Sequence, residues 1–153
     1  MKASELFLKL KKDMEKYKSK IRHAEESSDE KNNSRNLAMS RYNLENFNEI
    51  INSSFEWPDE EIDEKILKDF QDRIDHFFRA HAPGDEEFKE FIKAVSTYLV
   101  FIAKKPLHPP GIVFSNGAEV YKKGNVYFCT GKSIFIKDKL SLCKYCAAEK
   151  ASY

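Results

Sequence analysis

Cys143-Lys-Tyr-Cys146 sets two thiols at the Cys-x2-Cys spacing. That spacing lets two thiolates face one ion while neighbouring backbone N–H groups satisfy the sulfurs. Cys129 is the third cysteine, and all three fall within the last 25 residues of a 153-residue chain. Three thiols cannot all pair as disulfides within one chain, and a redox dithiol normally opens a helix in a βαβ unit, which is not visible around Cys143. The pattern points to metal ligation, with zinc as the first choice and an iron–sulfur cluster as the alternative that cysteine spacing does not exclude.

A closed tetrahedral zinc site needs a fourth ligand, and the chain offers four histidines. His23 and His76 stand on helical patterns among charged neighbours and read as surface groups. His81 sits at a helix end, where a cation complements the helix dipole. His108 differs, because Pro106, Pro109 and Pro110 stiffen the backbone around it at the entry to the cysteine-bearing segment. The expected ligand set is His108, Cys129, Cys143 and Cys146.

A second chemical signal overlaps the first. Thr130-Gly131-Lys132-Ser133 matches the end of a phosphate-binding loop, but that loop needs four residues between its first glycine and its Gly-Lys pair, and Val126 stands where that glycine should be. The loop must also lead into a helix, whereas Ser133-Ile-Phe-Ile-Lys137 reads as a strand. Thr130-Gly131-Lys132 is therefore expected to be a hairpin turn. Zinc deaminase chemistry is disfavoured too: it requires His-x-Glu and a proline before Cys-x2-Cys, and here Pro110 and Leu142 hold those places. No Ser-His-Asp order, paired-carboxylate motif or dinucleotide fingerprint stands out. A structural metal in a non-enzymatic protein is the leading expectation, and an enzyme with an open metal position is the alternative.

The net charge of +1 conceals an asymmetry. Residues 101–153 hold nine Lys and no Arg against Glu119, Asp138 and Glu149, whereas the first hundred residues are net acidic. The basic third could meet an anionic partner or be drawn to the acidic front of its own chain. Nucleic acid is only weakly favoured as that partner, since arginines interleaved with aromatics are missing. The longest apolar stretch, residues 94–103, is too short for a membrane span, and the charged first residues lack a signal-peptide core, so a cytoplasmic protein is expected.

The elements that must position these residues follow from periodicity. Leu6, Leu10, Met14, Tyr17 and Ile21 predict a helix over 4–25 capped by Ser4; residues 27–35 read as a loop; Leu37, Leu44, Phe47, Ile51 and Phe55 mark a second helix. Pro58 suits the first turn of a third, striped by Ile62, Ile66, Phe70, Ile74, Phe77 and Phe78. Asp85 caps a fourth, which carries Phe88, Phe91, Ile92, Val95, Leu99 and Ile102 and stops at Pro106. Beyond it, Asn116-Gly117 and Gly124-Asn125 punctuate the β-rich runs IVF, AEVY, VYFC and SIFIK. The expected fold is α+β: a bundle of about four helices over 1–105, then a small antiparallel β meander over 106–153 holding the cysteines, the two forming one integrated domain.

The segments KKPLHPPGIVF, VYFC and LCKYC together resemble the uncharacterised domain of unknown function 2115, found mainly in methanogenic archaea. The resemblance runs over roughly residues 80 to 149. It implies an association of the Leu107-His108-Pro109 segment with Cys129 and the Cys143/Cys146 pair, and it implies no activity. Because four amphipathic stripes can bury one another without the β module, a fragment ending at Lys105 should stay largely helical. A circular dichroism spectrum of mostly disordered chain would instead show that the module completes the core.

Overall fold

A computed structural model of the chain describes residues 1–19, 34–114, 117–138 and 141–151. Helix α1 spans Ala3–Met14 and tightens into a 3-10 turn at Glu15–Tyr17; α2 spans Ser34–Asn52, α3 Glu64–His81 and α4 Glu86–Tyr98. A small sheet follows, built from β1 (Val120–Lys123), β2 (Val126–Cys129) and β3 (Glu149–Lys150). Between β2 and β3 lie the short helix α5 (Lys132–Phe135) and a 3-10 turn at Cys143–Tyr145. The fold is α+β, as expected from the sequence.

Several boundaries move for identifiable reasons. Ser4 does not cap α1; it lies in the first turn, and its backbone N–H donates to Asp59 Oδ1 at 2.9 Å. The extended segment after α2 thus brings a carboxylate from a distance to a free helix end. Ile21, His23 and most of the expected loop lie outside the described residues, whereas Ser34 already opens α2. Pro58 does not start α3. Asp63 does, its carboxylate accepting from the N–H groups of Lys65 and Ile66.

The α3 stripe is also rotated from the expected one. Leu67, Phe70, Ile74 and Phe78 are buried, while Ile66 and Phe77 stand about half exposed, at 47% and 52%. Asp85 caps α4 through the N–H of Phe88, as expected. Among the described residues no helix is long and apolar enough to cross a membrane.

The sheet is mixed, not a meander. β1 and β2 pair antiparallel, with Lys123 opposite Val126 around Gly124-Asn125, and Gly124 takes the positive φ (+63°) that such a two-residue turn demands. β3 runs parallel to β2, with Cys129 beside Lys150. β2 is therefore the central strand, and both its edges are taken. Residues 133–137 do not join the sheet. They coil locally instead, the Gly131 carbonyl accepting from the N–H groups of Ile134 and Phe135 at 3.1 Å. This corrects two expectations together: SIFIK is not a strand, and Thr130-Gly131-Lys132 is not a hairpin turn.

One hydrophobic core runs from α1 through α2, α3 and α4, with Leu107, Leu142 and Tyr145 packed against it from the module side. Phe70, fully buried, sits edge-on to Phe101 (5.4 Å) and to Tyr145 (5.2 Å), so a single ring joins the helices to the cysteine-bearing segment.

The end of α4 sets the path into the module. Leu99–Ala103 forms a π-helical turn, Lys104 adopts a left-handed conformation (φ +55°), and the Lys105 N–H donates to the Leu99 carbonyl at 3.0 Å. The Lys105 ammonium then donates to Glu49 Oε2 at 2.8 Å and to Asn46 Oδ1 at 3.2 Å, and the Tyr98 hydroxyl donates to Glu49 Oε1. Burial pushes the Glu49 carboxyl up, but the hydrogen bonds from Lys105 and Tyr98 outweigh it, and the group is held below its ordinary value of 4.5.

A depressed carboxyl contributes stability that is complete above the unfolded value and is lost as pH falls through the folded one. Lys105→Met should accordingly cost about 1–2 kcal/mol at neutral pH, the pair being partly exposed and screened. In that variant the loss of stability below about pH 4.5 should be shallower than in the parent. Denaturant titrations of both proteins across pH 3–7 check this, and parallel pH profiles would show that the pair carries none of the acid sensitivity.

Candidate functional site

Where the helices meet the β module they enclose a cavity of about 430 Å³. Asn43 of α2, Ile74 and Phe77 of α3, and Ile92 and Ser96 of α4 form the helical wall. Pro106, Leu107 and His108 form a second wall, and Val120, Cys129, Lys132 and the segment from Ser141 to Ala148 close the module side. The volume is that of an ordinary ligand pocket, and most of the lining side chains are apolar.

All four expected site residues line this one cavity: His108, Cys129, Cys143 and Cys146. His76 and His81 do not, and His81 packs its ring on Phe77 at 4.7 Å. The structure brings the four to a common wall without drawing them together. Among the described residues, no three His, Cys, Asp or Glu side chains form a group that could hold a metal ion as they stand.

Each of the four is positioned by local bonding. Leu107 donates its backbone N–H to Cys146 Sγ at 3.4 Å, tying the proline-rich segment to the Cys-x2-Cys pair. Cys143 and Cys146 flank a 3-10 turn closed by the Cys146 N–H on the Cys143 carbonyl at 3.2 Å. Cys129 ends the central strand, so its backbone is held from both sides. His108 places its ring edge-on to Phe114 at 4.9 Å.

Burial decides the protonation of two of them. It pushes the Cys143 thiol up; hydrogen bonding with Ser141 opposes this, and the neighbouring Cys146 and Cys129 add to the rise. Cys143 is therefore a thiol at neutral pH, not the lowered-pKa thiolate that an activated nucleophile requires. Burial likewise pushes His108 down, which leaves a neutral imidazole able to donate from one nitrogen and accept at the other.

Lys132 lines the cavity too, and the phosphate-loop test set it aside. Its ammonium donates to the Cys146 carbonyl at 2.8 Å and to the Ala148 carbonyl at 2.7 Å. Thr130 is equally engaged, its Oγ1 accepting the Glu119 N–H at 2.8 Å. The strand-to-helix passage that the sequence appeared to lack is present here, but α5 is a single turn, and the hydroxyl that would follow the loop's lysine, Ser133 Oγ, donates to the Ala151 carbonyl at 3.2 Å. The rejection of a phosphate loop stands on spacing and on these bonds.

The front half contributes Arg73, whose guanidinium donates to the Ser141 carbonyl at 2.9 Å, pairs with Asp69 at 3.3 Å and lies over the Tyr145 ring. No motif in the sequence marked it.

A family model described as an uncharacterized protein conserved in archaea (DUF2115) matches residues 2–151. The chain belongs to this family. A UPF0305 protein of Methanocaldococcus jannaschii is 38% identical over 159 aligned positions, covering 97% of this chain and 96% of the relative. A second, from Methanothermobacter thermautotrophicus, is 31% identical over 88 positions (57% of this chain, 54% of the relative), and one from Methanococcus maripaludis is 33% identical over 88 (58% and 53%). No solved structure matches the chain. The resemblance read from the C-terminal motifs thus extends over the helical half as well, so the DUF2115 match spans both walls of the cavity.

The burial of the thiols has a direct readout. In the folded DUF2115 chain Cys143 should react with a disulfide reagent at neutral pH several-fold more slowly than after denaturation, because burial both shields it and keeps it protonated. Reaction of Cys143 at the free-thiol rate, followed by peptide mass spectrometry, would contradict the buried placement.

Proposed function

We propose that this DUF2115 protein binds a thiophilic metal ion, zinc in the first instance, on the cysteine wall of its cavity, and that the metal clasps the C-terminal module to the helical body. One observation carries the reading: three thiols and one imidazole, supplied by the Pro106–His108 segment, the end of β2 and the Cys143–Cys146 turn, line a single cavity. Ligands drawn from three separated segments are what a cross-linking structural ion requires. The neutral imidazole of His108 has a lone pair available, and the half-buried thiols would each give up a proton on binding. Because the side chains do not stand at ligating separations, the 141–148 segment would close on the cavity as the ion binds.

The proposal includes a cytoplasmic setting, where the thiols stay reduced. It also gives the basic third a role. Lys104, Lys105 and Lys144 already pair with Glu60, Glu49 and Asp69 of the front half, which leaves lysines of the module such as Lys123 and Lys150 to face an anionic protein partner.

Metal analysis of the purified protein with its absorption spectrum tests the reading. One zinc per chain in a colourless protein is the expected result, and brown absorption would replace it with an iron–sulfur cluster. Cys143→Ser and Cys146→Ser should each lose the metal and lower the melting temperature, and His108→Ala should weaken binding by about 10-fold or more. A chain that takes up neither zinc nor iron under reducing conditions, or serine variants that keep full metal and the parent melting temperature, would overturn it.

A further inference from the structure

The cavity has an electrostatic character that the thiols do not explain. Asp and Glu are absent from its lining among the described residues, while Arg73 and Lys132 are both present. Arg73 is balanced by Asp69, which Lys144 also approaches at 3.8 Å. Lys132 is not balanced: its partners are the carbonyls of Cys146 and Ala148, and no ion pair to a carboxylate accompanies them among the described residues.

An ammonium has three donors, and two of those on Lys132 are taken, which leaves one for the cavity. Around it the wall is apolar, with Ile74, Phe77, Ile92, Leu107, Val120 and Leu142 as its main contributors. A half-buried charge without a counter-ion beside apolar surface is costly, and a ligand that brings the missing negative charge relieves that cost.

We infer that the cavity binds an amphipathic organic anion, its apolar body against the helical wall and its single anionic group on Lys132. This reading shares the cavity with the proposed metal site but does not depend on it, so it is to be tested on protein freed of metal by chelation and kept reduced.

The experiment uses octanoate as the probe and the chain's own cysteines as reporters, since all three line the cavity. Alkylation of Cys129, Cys143 and Cys146 by iodoacetamide is followed by peptide mass spectrometry with octanoate, octanol or octylammonium present. Octanoate should slow alkylation at concentrations where the neutral and cationic analogues do not. Lys132→Gln should raise the octanoate concentration needed by about 10-fold, the loss expected for one charge-assisted hydrogen bond.

Should Lys132→Gln unfold the module, the comparison of the three probes on the parent protein still decides. Equal protection by octanol places the affinity in the apolar wall alone and overturns the inference, as does protection by octylammonium or by none of the three. Loss of metal binding in the cysteine variants, with octanoate protection of the remaining thiols intact, would separate this site from the metal reading.

Discussion

Everything after residue 105 depends on how α4 ends. An α-helix continuing past Tyr98 would carry Lys104 and Lys105 outward. The π-helical turn over Leu99–Ala103 and the left-handed Lys104 instead bring Lys105 back onto Glu49. A left-handed lysine costs about 1–2 kcal/mol, and such a conformation persists only where neighbouring interactions fix it. Here they do: the Glu49 carboxylate accepts from both Lys105 and Tyr98, Asn46 holds the same ammonium, and the Tyr42 hydroxyl donates to the carbonyl of the fully buried Pro106 at 2.6 Å. The polar clasp sets the direction in which Leu107 and His108 leave the helices, and so places one wall of the cavity.

The opposite wall is set by a different device. β2 is a short strand paired on both edges, and its last residue is Cys129. The returning chain has too few apolar residues to pack by itself, so it is held by individual side chains from outside. Phe70 meets Tyr145, Arg73 reaches the Ser141 carbonyl and the Tyr145 face, and Lys132 gathers the carbonyls of Cys146 and Ala148. Each contact fixes the segment's backbone while leaving the sulfurs on the cavity side. The thiols are thus brought to a common surface mainly by bonds between other groups, beside the Leu107 N–H on Cys146 and the Ser141 contact of the Cys143 thiol.

This division explains what could be read in the sequence. The four helices and the Gly124-Asn125 hairpin were legible because period and turn chemistry are local. Cys-x2-Cys and the proline-framed His108 could be singled out because they are unusual in composition and position, and the four residues line one cavity without forming a ligating group among the described residues. The failures are all non-local. Ser4 lost its capping role to Asp59, which arrives from across the fold. The SIFIK run has strand composition, but β3, two residues long and about a dozen positions further on, pairs with the β2 edge instead. Arg73 and Lys132 act on carbonyls, and a carbonyl has no sequence signature. Lys132 was in view only as part of a phosphate-loop motif that fails on its glycine spacing.

The charge on the cavity wall unites the two occupants proposed for it. Lys132 brings a positive charge that no carboxylate among the described residues answers, in the same lining as the Cys143 thiol, which burial keeps neutral. A bare divalent cation entering such a space would add to the imbalance, because the lining supplies no Asp or Glu. Only when thiols surrender their protons does the ion become acceptable, and an ion held by three thiolates carries a net negative charge that Lys132 can then balance. An organic anion meets the same requirement directly, without deprotonating anything. Both readings come from one constraint: whatever fills this cavity must present negative charge to Lys132 and apolar surface to α3 and α4. Charge is the more selective of the two demands, because an apolar wall accepts many shapes while an unpaired ammonium accepts only one sign.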